Sequence, residues 1–295
     1  MKIKVKLFFY SCIALVLCAF SPCTSKEYHY KYNLAVCTIF QNEARFLKEW
    51  IEFHKLAGVE HFYLYNNNSS DNYLEVLDPY IKTGDVELVH WSNDKKGWNE
   101  TQQNAYKDAI KKCKNTVRWL VMIDCDEFVF PVLGDNISDF LKNYEQYPAL
   151  VVNWQCFGTS HVYRIPDDKL MIEMLVNKAD PDHYDNRYVK SIINPKSTIT
   201  GKSQVHHFYY HHNKSAVNAD YVEVKNFRSP YVCVDKIRIN HYRTRDEEHF
   251  INVKLPRLKK WYEDNAARCF FEDHNQVFDD AILRFVPALK KKIFP

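Results

Sequence analysis

Beyond Lys26 the chain alternates apolar runs with stretches of helical periodicity. Residues 33–40 (NLAVCTIF) are almost continuously apolar and predict a buried strand, whereas residues 42–57 place Phe46, Leu47, Trp50, Ile51, Phe53 and Leu56 at helical spacing. Gly58 then caps that helix. Residues 59–65 (VEHFYLY) predict a second strand, and NNNSSD, residues 66–71, a polar turn after it. A helix over 73–80, a strand over 86–91, a helix over 102–113 and a strand over 118–123 follow. Strands and helices in strict alternation predict an α/β fold, with a mostly parallel central sheet, right-handed crossovers and flanking helices.

The last of these strands runs into Asp124, Asp126 and Glu127, within VRWLVMIDCDEFVFP. The carboxyl edge of an open α/β sheet is where ligands bind. If the strand continues to its margin, the period of two puts Asp124 and Asp126 on one side and Cys125 on the other, so the two acids converge on one cation. A hard divalent ion held by one or two carboxylates keeps positions open for substrate phosphates. An acidic turn would also supply Asp residues. It would not need three acids within four residues, followed at once by Phe128, Val129 and Phe130. A calcium loop would require further oxygen donors and a glycine after the acids. A phosphatase using an acid pair as nucleophile and acid is the sharper rival, although such a pair more often opens a chain.

Composition narrows the classes. At 295 residues and 46% hydrophobic content the chain can bury a large core, and residues 26–295 are expected to form one domain. The 20 Tyr, 19 Phe and 6 Trp serve as core filler or as flat surfaces for bases and sugars. A net charge of +3 gives no field that argues for nucleic acid. Only six glycines are present, with neither GxGxxG nor a Walker A sequence, which disfavours dinucleotide and P-loop chemistry.

Residues 1–25 read as a targeting segment: Lys2, Lys4 and Lys6 precede an apolar run over 7–20, then small and polar residues. The run is short against the roughly 20 residues of a spanning helix, so a cleaved signal is favoured over a retained single-pass anchor. Either way the chain is expected to contact a membrane and to work outside the cytosol, in a secretory lumen, the periplasm or the extracellular space. Cys37, Cys113, Cys125, Cys156, Cys233 and Cys269 show no CxxC spacing, which argues against structural zinc of that type and leaves any disulfide pairing open. Asn67, Asn68, Asn99, Asn136 and Asn213 head formal glycosylation sequons.

The succession CTIFQNEARFLKEWIEFHKLAGVEHFYLYNNNSSD, QQNAYKDAIKKC, WLVMIDCDEF and NWQCFGTS resembles the glycosyltransferases of family 92 and related family-2-like enzymes, over about residues 33–261. The resemblance implies a GT-A type nucleotide-diphospho-sugar transferase fold, with Asp124-Cys125-Asp126 as its DXD motif. It also implies a manganese- or magnesium-dependent enzyme that moves a hexose, often galactose, from a UDP-sugar to a hydroxyl of a glycan or glycoconjugate, with inversion.

The chemistry of the residues agrees with that reading. A departing diphosphate accumulates charge, which a metal at Asp124 and Asp126 neutralises as a Lewis acid, making Asp126 catalytic. In many GT-A enzymes a C-terminal His completes the metal shell. His241 in RINHYRTR is preferred over His206 in QVHHFYY, because RINHY alternates like a strand end and Arg243 and Arg245 follow as phosphate partners. Thr38, Asn42, Glu43, Asn66 and Asp71 fall at the predicted edge and are candidates for uracil or ribose, with Gln102 from its helix and Asp124 itself. A helix cap at Asn42 and a plain turn at Asn66 to Asp71 explain the same residue types. An inverting transfer also needs a base. Glu173 is the first candidate, ahead of Asp182 and Asp185. Trp154 and Phe157 fit a sugar platform or the core equally well. Residues 250–295 are basic and aromatic, suited to packing under the sheet or to an anionic surface. Two other classes stay open: an exported phosphoester hydrolase using the same acids, and a sugar-binding scaffold without turnover.

Overall fold

The computed structural model describes residues 29–92, 97–258 and 273–294; the expected targeting segment, residues 1–25, lies outside them. The alternating half forms as its periodicity predicts. Strands β1 (Tyr32–Phe40), β2 (His61–Asn66), β3 (Val86–His90) and β4 (Val117–Met122) run parallel in the order β4-β1-β2-β3, joined through helices α1 (Ala44–Leu56), α2 (Tyr73–Thr83) and α3 (Trp98–Cys113). Both faces of β1 are buried, which is why its sequence is a run rather than an alternation. Leu34 and Val36 enter the core under α1, whereas Ala35, Cys37 and Ile39 enter the opposite one with Tyr106, Ala109 and Ile110 of α3.

Beyond β4 the sheet changes character. Strand β5 (Glu127–Pro131) leaves the acid turn; β6 (Ala149–Cys156) and β7 (Val189–Ile193) follow, with β7 lying antiparallel between β4 and β6. Short strands β8 (Ala216–Val217) and β9 (Glu223–Val224) extend the far edge, and β10 (Ile237–His241) pairs antiparallel with β5 and parallel with β6. The sheet is therefore wholly parallel only in its N-terminal half. The C-terminal helix α4 (Val286–Ile293) packs on α1 with Leu289 buried, so that end of the basic stretch lies against the fold. No described helix is long and apolar enough to cross a membrane. Cys37, Cys113, Cys125, Cys156 and Cys233 are buried free thiols.

Gly58, at φ +96, ends α1 as expected, and a Cβ there would meet the Asn136 side chain at 2.8 Å. One turn earlier His54 is fully enclosed, with Nδ1 2.8 Å from Trp50 O and Nε2 accepting from Val129 N–H at 3.4 Å. Those partners require a neutral ring with its proton on Nδ1. Burial pushes its pKa from 6.5 down to about 3. The unfolded chain thus binds a proton that the folded one refuses. This contribution to stability is complete above pH about 6.5 and is lost as pH falls toward 3, at about 1.4 kcal/mol per pH unit. Urea midpoints measured from neutral pH to about pH 4.5 are expected to fall, and His54→Gln to flatten the dependence by one proton. An unchanged slope in the variant would count against this assignment.

Candidate active site

The acids do not lie on a pleated strand end. β4 stops at Met122, and Asp124 to Glu127 close a tight turn through Glu127 N–H to Asp124 O (3.1 Å) and Asp124 N–H to the Glu127 carboxylate (2.8 Å). The chain turns there because β5 must pair with β10, and the Trp50 indole holds the reversal by donating to Glu127 O at 2.8 Å. Cys125 still faces inward, its Sγ 3.6 Å from the Thr38 hydroxyl.

Each acid has its own partners. Asp124 accepts from Gln102 Nε2 at 2.6 Å, from Tyr106 Oη at 3.4 Å and from Lys190 Nζ at 2.7 Å. Lys190, 1% exposed on β7, also lies 3.6 Å from Glu127. Asp126 meets His241 Nε2 at 3.5 Å and Lys254 Nζ at 2.8 Å. Burial alone would raise both aspartates. At Asp126 the Lys254 ammonium, then His241 and Arg245, outweigh it and hold the carboxyl well below the usual range. At Asp124 Lys190 outweighs burial and the repulsion of Asp126 and lowers the carboxyl from its usual value. Glu127, with no exposed surface, is pushed up by burial and keeps its proton to higher pH. Burial lowers His241, leaving a neutral imidazole against an ionised Asp126.

Residues 30–268 match the model of glycosyltransferase family 92, more than half of the chain. The chain belongs to that family. A family 92 glycosyltransferase protein of Ricinus communis is 28% identical over 64% of this chain and 34% of its own length. A β-1,4-galactosyltransferase of Caenorhabditis elegans is 21% identical over 75% of this chain and 50% of that one. The matched part thus spans about a third to a half of these relatives. Among solved structures, residues 1–349 of TarS from S. aureus in complex with UDP align with a TM-score of 0.39 at 9% identity, covering 81% of this chain and 69% of that one. The family 92 chain sets out a parallel α/β half, then the acid turn, then a mixed sheet that presents His241.

In the family 92 chain the other sequence candidates fall into distinct places. The loops after β1 and β2 are stitched together at the margin that carries the acid turn. Asn42, exposed at φ +56, accepts from Ser70 N–H at 2.7 Å, and Asp71 caps α1 through Ala44 N–H at 2.8 Å. The cap of α1 therefore comes from Asp71 rather than Asn42. Asn66 turns its own loop by accepting from Ser69 N–H, and Thr38 is fully enclosed. Glu43 joins the acid turn through Arg245, which donates to Glu43 at 2.9 Å and to Cys125 O at 2.8 Å. Arg245, expected at a phosphate, is instead fully buried at φ +60 and stacked on Phe46. Gln102 touches Asp124 directly.

His206 and His241 flank Trp154, at ring separations of 5.3 and 4.3 Å. His206 gives Nδ1 to Val189 O, and burial pushes it down to about 3. Trp154 also stacks on half-buried Tyr188, whereas Phe157 is fully inside, against Tyr242. Glu173 is taken up by Lys290 at 2.6 Å and by the start of its own short helix. Burial would raise its pKa, but Lys290 and the Leu170 N–H outweigh that and lower it, which weakens the carboxylate as a proton acceptor.

Lys190, Lys254 and Tyr106 escape the sequence reading altogether. Nothing local marks them, because the acids they meet are distant in the chain. Asp124, Asp126 and His241 offer the kinds of donor that a manganese- or magnesium-class cation takes, but among the described residues their ligand atoms are not gathered within 4.8 Å of one another. The two lysines supply in this structure the positive charge that such an ion would bring.

Proposed function

We propose that the chain transfers a hexose, galactose as the first reading, from a UDP-sugar to a hydroxyl of a glycan or glycoconjugate, with inversion and with the help of Mn2+ or Mg2+. The reading rests on family membership and on one observation: Asp126 faces His241 while Gln102 and Lys190 hold Asp124 at the same turn. In the transfer, the bond from the anomeric carbon to the β-phosphate oxygen breaks with its electron pair going to UDP. A bond from the acceptor oxygen forms on the opposite face, and the acceptor proton passes to a carboxylate base. Asp124, Asp126 and His241 would hold a divalent cation, which would supply charge stabilisation for the departing diphosphate. The protein's own part is orientation. Arg245 locks the acid turn to the β1 loop, and Lys190 and Lys254 keep both aspartates ionised.

Calorimetric titration of UDP into the purified chain, with and without manganese, tests this. Binding that requires manganese and disappears in Asp126→Ala is the expected result. No binding under either condition in a folded sample sinks the nucleotide site, and phosphate release from simple esters would favour a hydrolase instead.

A further inference from the structure

Apart from the acid turn, one group of ligating side chains comes together among the described residues, between the 180–187 loop and the segment 273–278. His183 and Asp185 lie on the loop that carries a short 3-10 turn (Tyr184–Arg187), and His274 lies in a turn that precedes the short strand Val277–Phe278. One ligand atom from each falls within 4.8 Å of the other two, with Asp185 Oδ2 3.9 Å from His274 Nε2. The two imidazoles meet edge to face at 5.0 Å.

We propose that His183, Asp185 and His274 form a binding site for a first-row divalent cation of the zinc class, which clasps the 273–278 segment to the 180–187 loop. The donor set carries the choice of ion. Two imidazoles and one carboxylate suit zinc, whereas calcium and magnesium prefer shells of oxygen. Tetrahedral zinc with ligands at about 2.0–2.1 Å separates them by about 3.3 Å, so the present spacing closes with small side-chain movements. His183 Nδ1 already presents a lone pair, since it accepts a long 3.3 Å bond from Asp185 N–H. Three protein ligands leave a fourth position for water or a further donor.

Both supports are firm. Asn186 fixes the loop by accepting from Cys156 N–H and donating to Asp180 O, each at 2.9 Å. On the other side Ser160 N–H donates to Asn275 Oδ1 at 2.7 Å, Gln276 N–H donates to Lys178 O at 2.9 Å, and Val277 pairs with Lys178. The backbone of the 273–278 segment passes Gly158 so closely that a Cβ there would lie 2.6 Å from His274 O. A cation here would add a cross-link next to His241 without using the acid pair.

Zinc content of the full chain, measured after removal of loosely held metal and reloading with zinc alone, tests the site. About one equivalent is expected to remain in the wild type and in Asp126→Asn, and affinity to fall by about 100-fold or more in His183→Ala and Asp185→Asn. Those two side chains are only half-buried, and circular dichroism checks that the variants fold. Cobalt in place of zinc should give the intense visible bands of a tetrahedral site. Zinc retained unchanged in both loop variants, or zinc lost in Asp126→Asn but kept in His183→Ala, overturns the proposal, as does a wild type that retains none.

Discussion

Asp126→Asn is expected to lower the sugar-transfer rate by about two to three orders of magnitude while the fold persists. Asparagine keeps the shape of the side chain and removes its charge. Asp126 is held ionised by Lys254 and His241, so the wild-type turn offers a full negative charge to a cation at any pH above the usual carboxylate range. Taking that charge away removes stabilisation where the departing diphosphate gathers negative charge, an effect of about 3–4 kcal/mol for a single well-placed group. Tyr242 N–H bonds the backbone O of residue 126, not its side chain, so the turn itself survives the change. UDP release from a UDP-sugar, measured beside thermal melting, separates the two effects. A folded variant within tenfold of the wild type would show that Asp126 does not serve the reaction.

The parts that were legible in the sequence are those whose cause is local. β1, β2 and β4 announce themselves because burial on both faces demands a run of apolar residues, and α1 because its inner stripe recurs at helical spacing. The first turn of α3 was not legible: Trp98 to Thr101 follow Gly97 with no side-chain cap, and the periodic residues begin only at Gln102. Three acids after an apolar run signal chemistry, yet the run cannot show that the chain turns at Asp124 instead of continuing. That turn depends on pairing between β5 and β10, more than a hundred residues apart in the chain. The same distance hides the counter-charges, since Lys190 and Lys254 stand 66 and 128 positions from the acids they meet. Arg245 misleads for a different reason. In RTR it reads as an exposed cation, but a left-handed backbone at φ +60 turns it into the interior, where it ties Glu43 to Cys125 O.

Lys190→Met is expected to destabilise the chain by less than the roughly 3–5 kcal/mol that breaking a fully buried ion pair costs, because the enclosed Glu127 and the partly exposed Asp124 both lose their cation. Lys190 is 1% exposed and Glu127 is fully enclosed, whereas the Asp124 side chain is 33% exposed, so water replaces part of the lost charge at Asp124 but none at Glu127. The cost should fall on Asp124 first, the nearer of the two at 2.7 Å, since Glu127 at 3.6 Å is already pushed toward its neutral form by burial. Two consequences separate this account from simple loss of packing. With the ammonium gone, Asp124 takes up a proton more readily in the folded state than in the unfolded one, so the deficit should shrink as pH falls below about 5 and grow as pH rises. Manganese should restore part of the loss, since an ion bound at Asp124 replaces the missing charge and stabilises only the folded chain. Urea unfolding at two pH values, with and without manganese, reads both effects. A deficit indifferent to pH and to the ion would mean that Lys190 acts through the packing of its methylenes rather than through its charge.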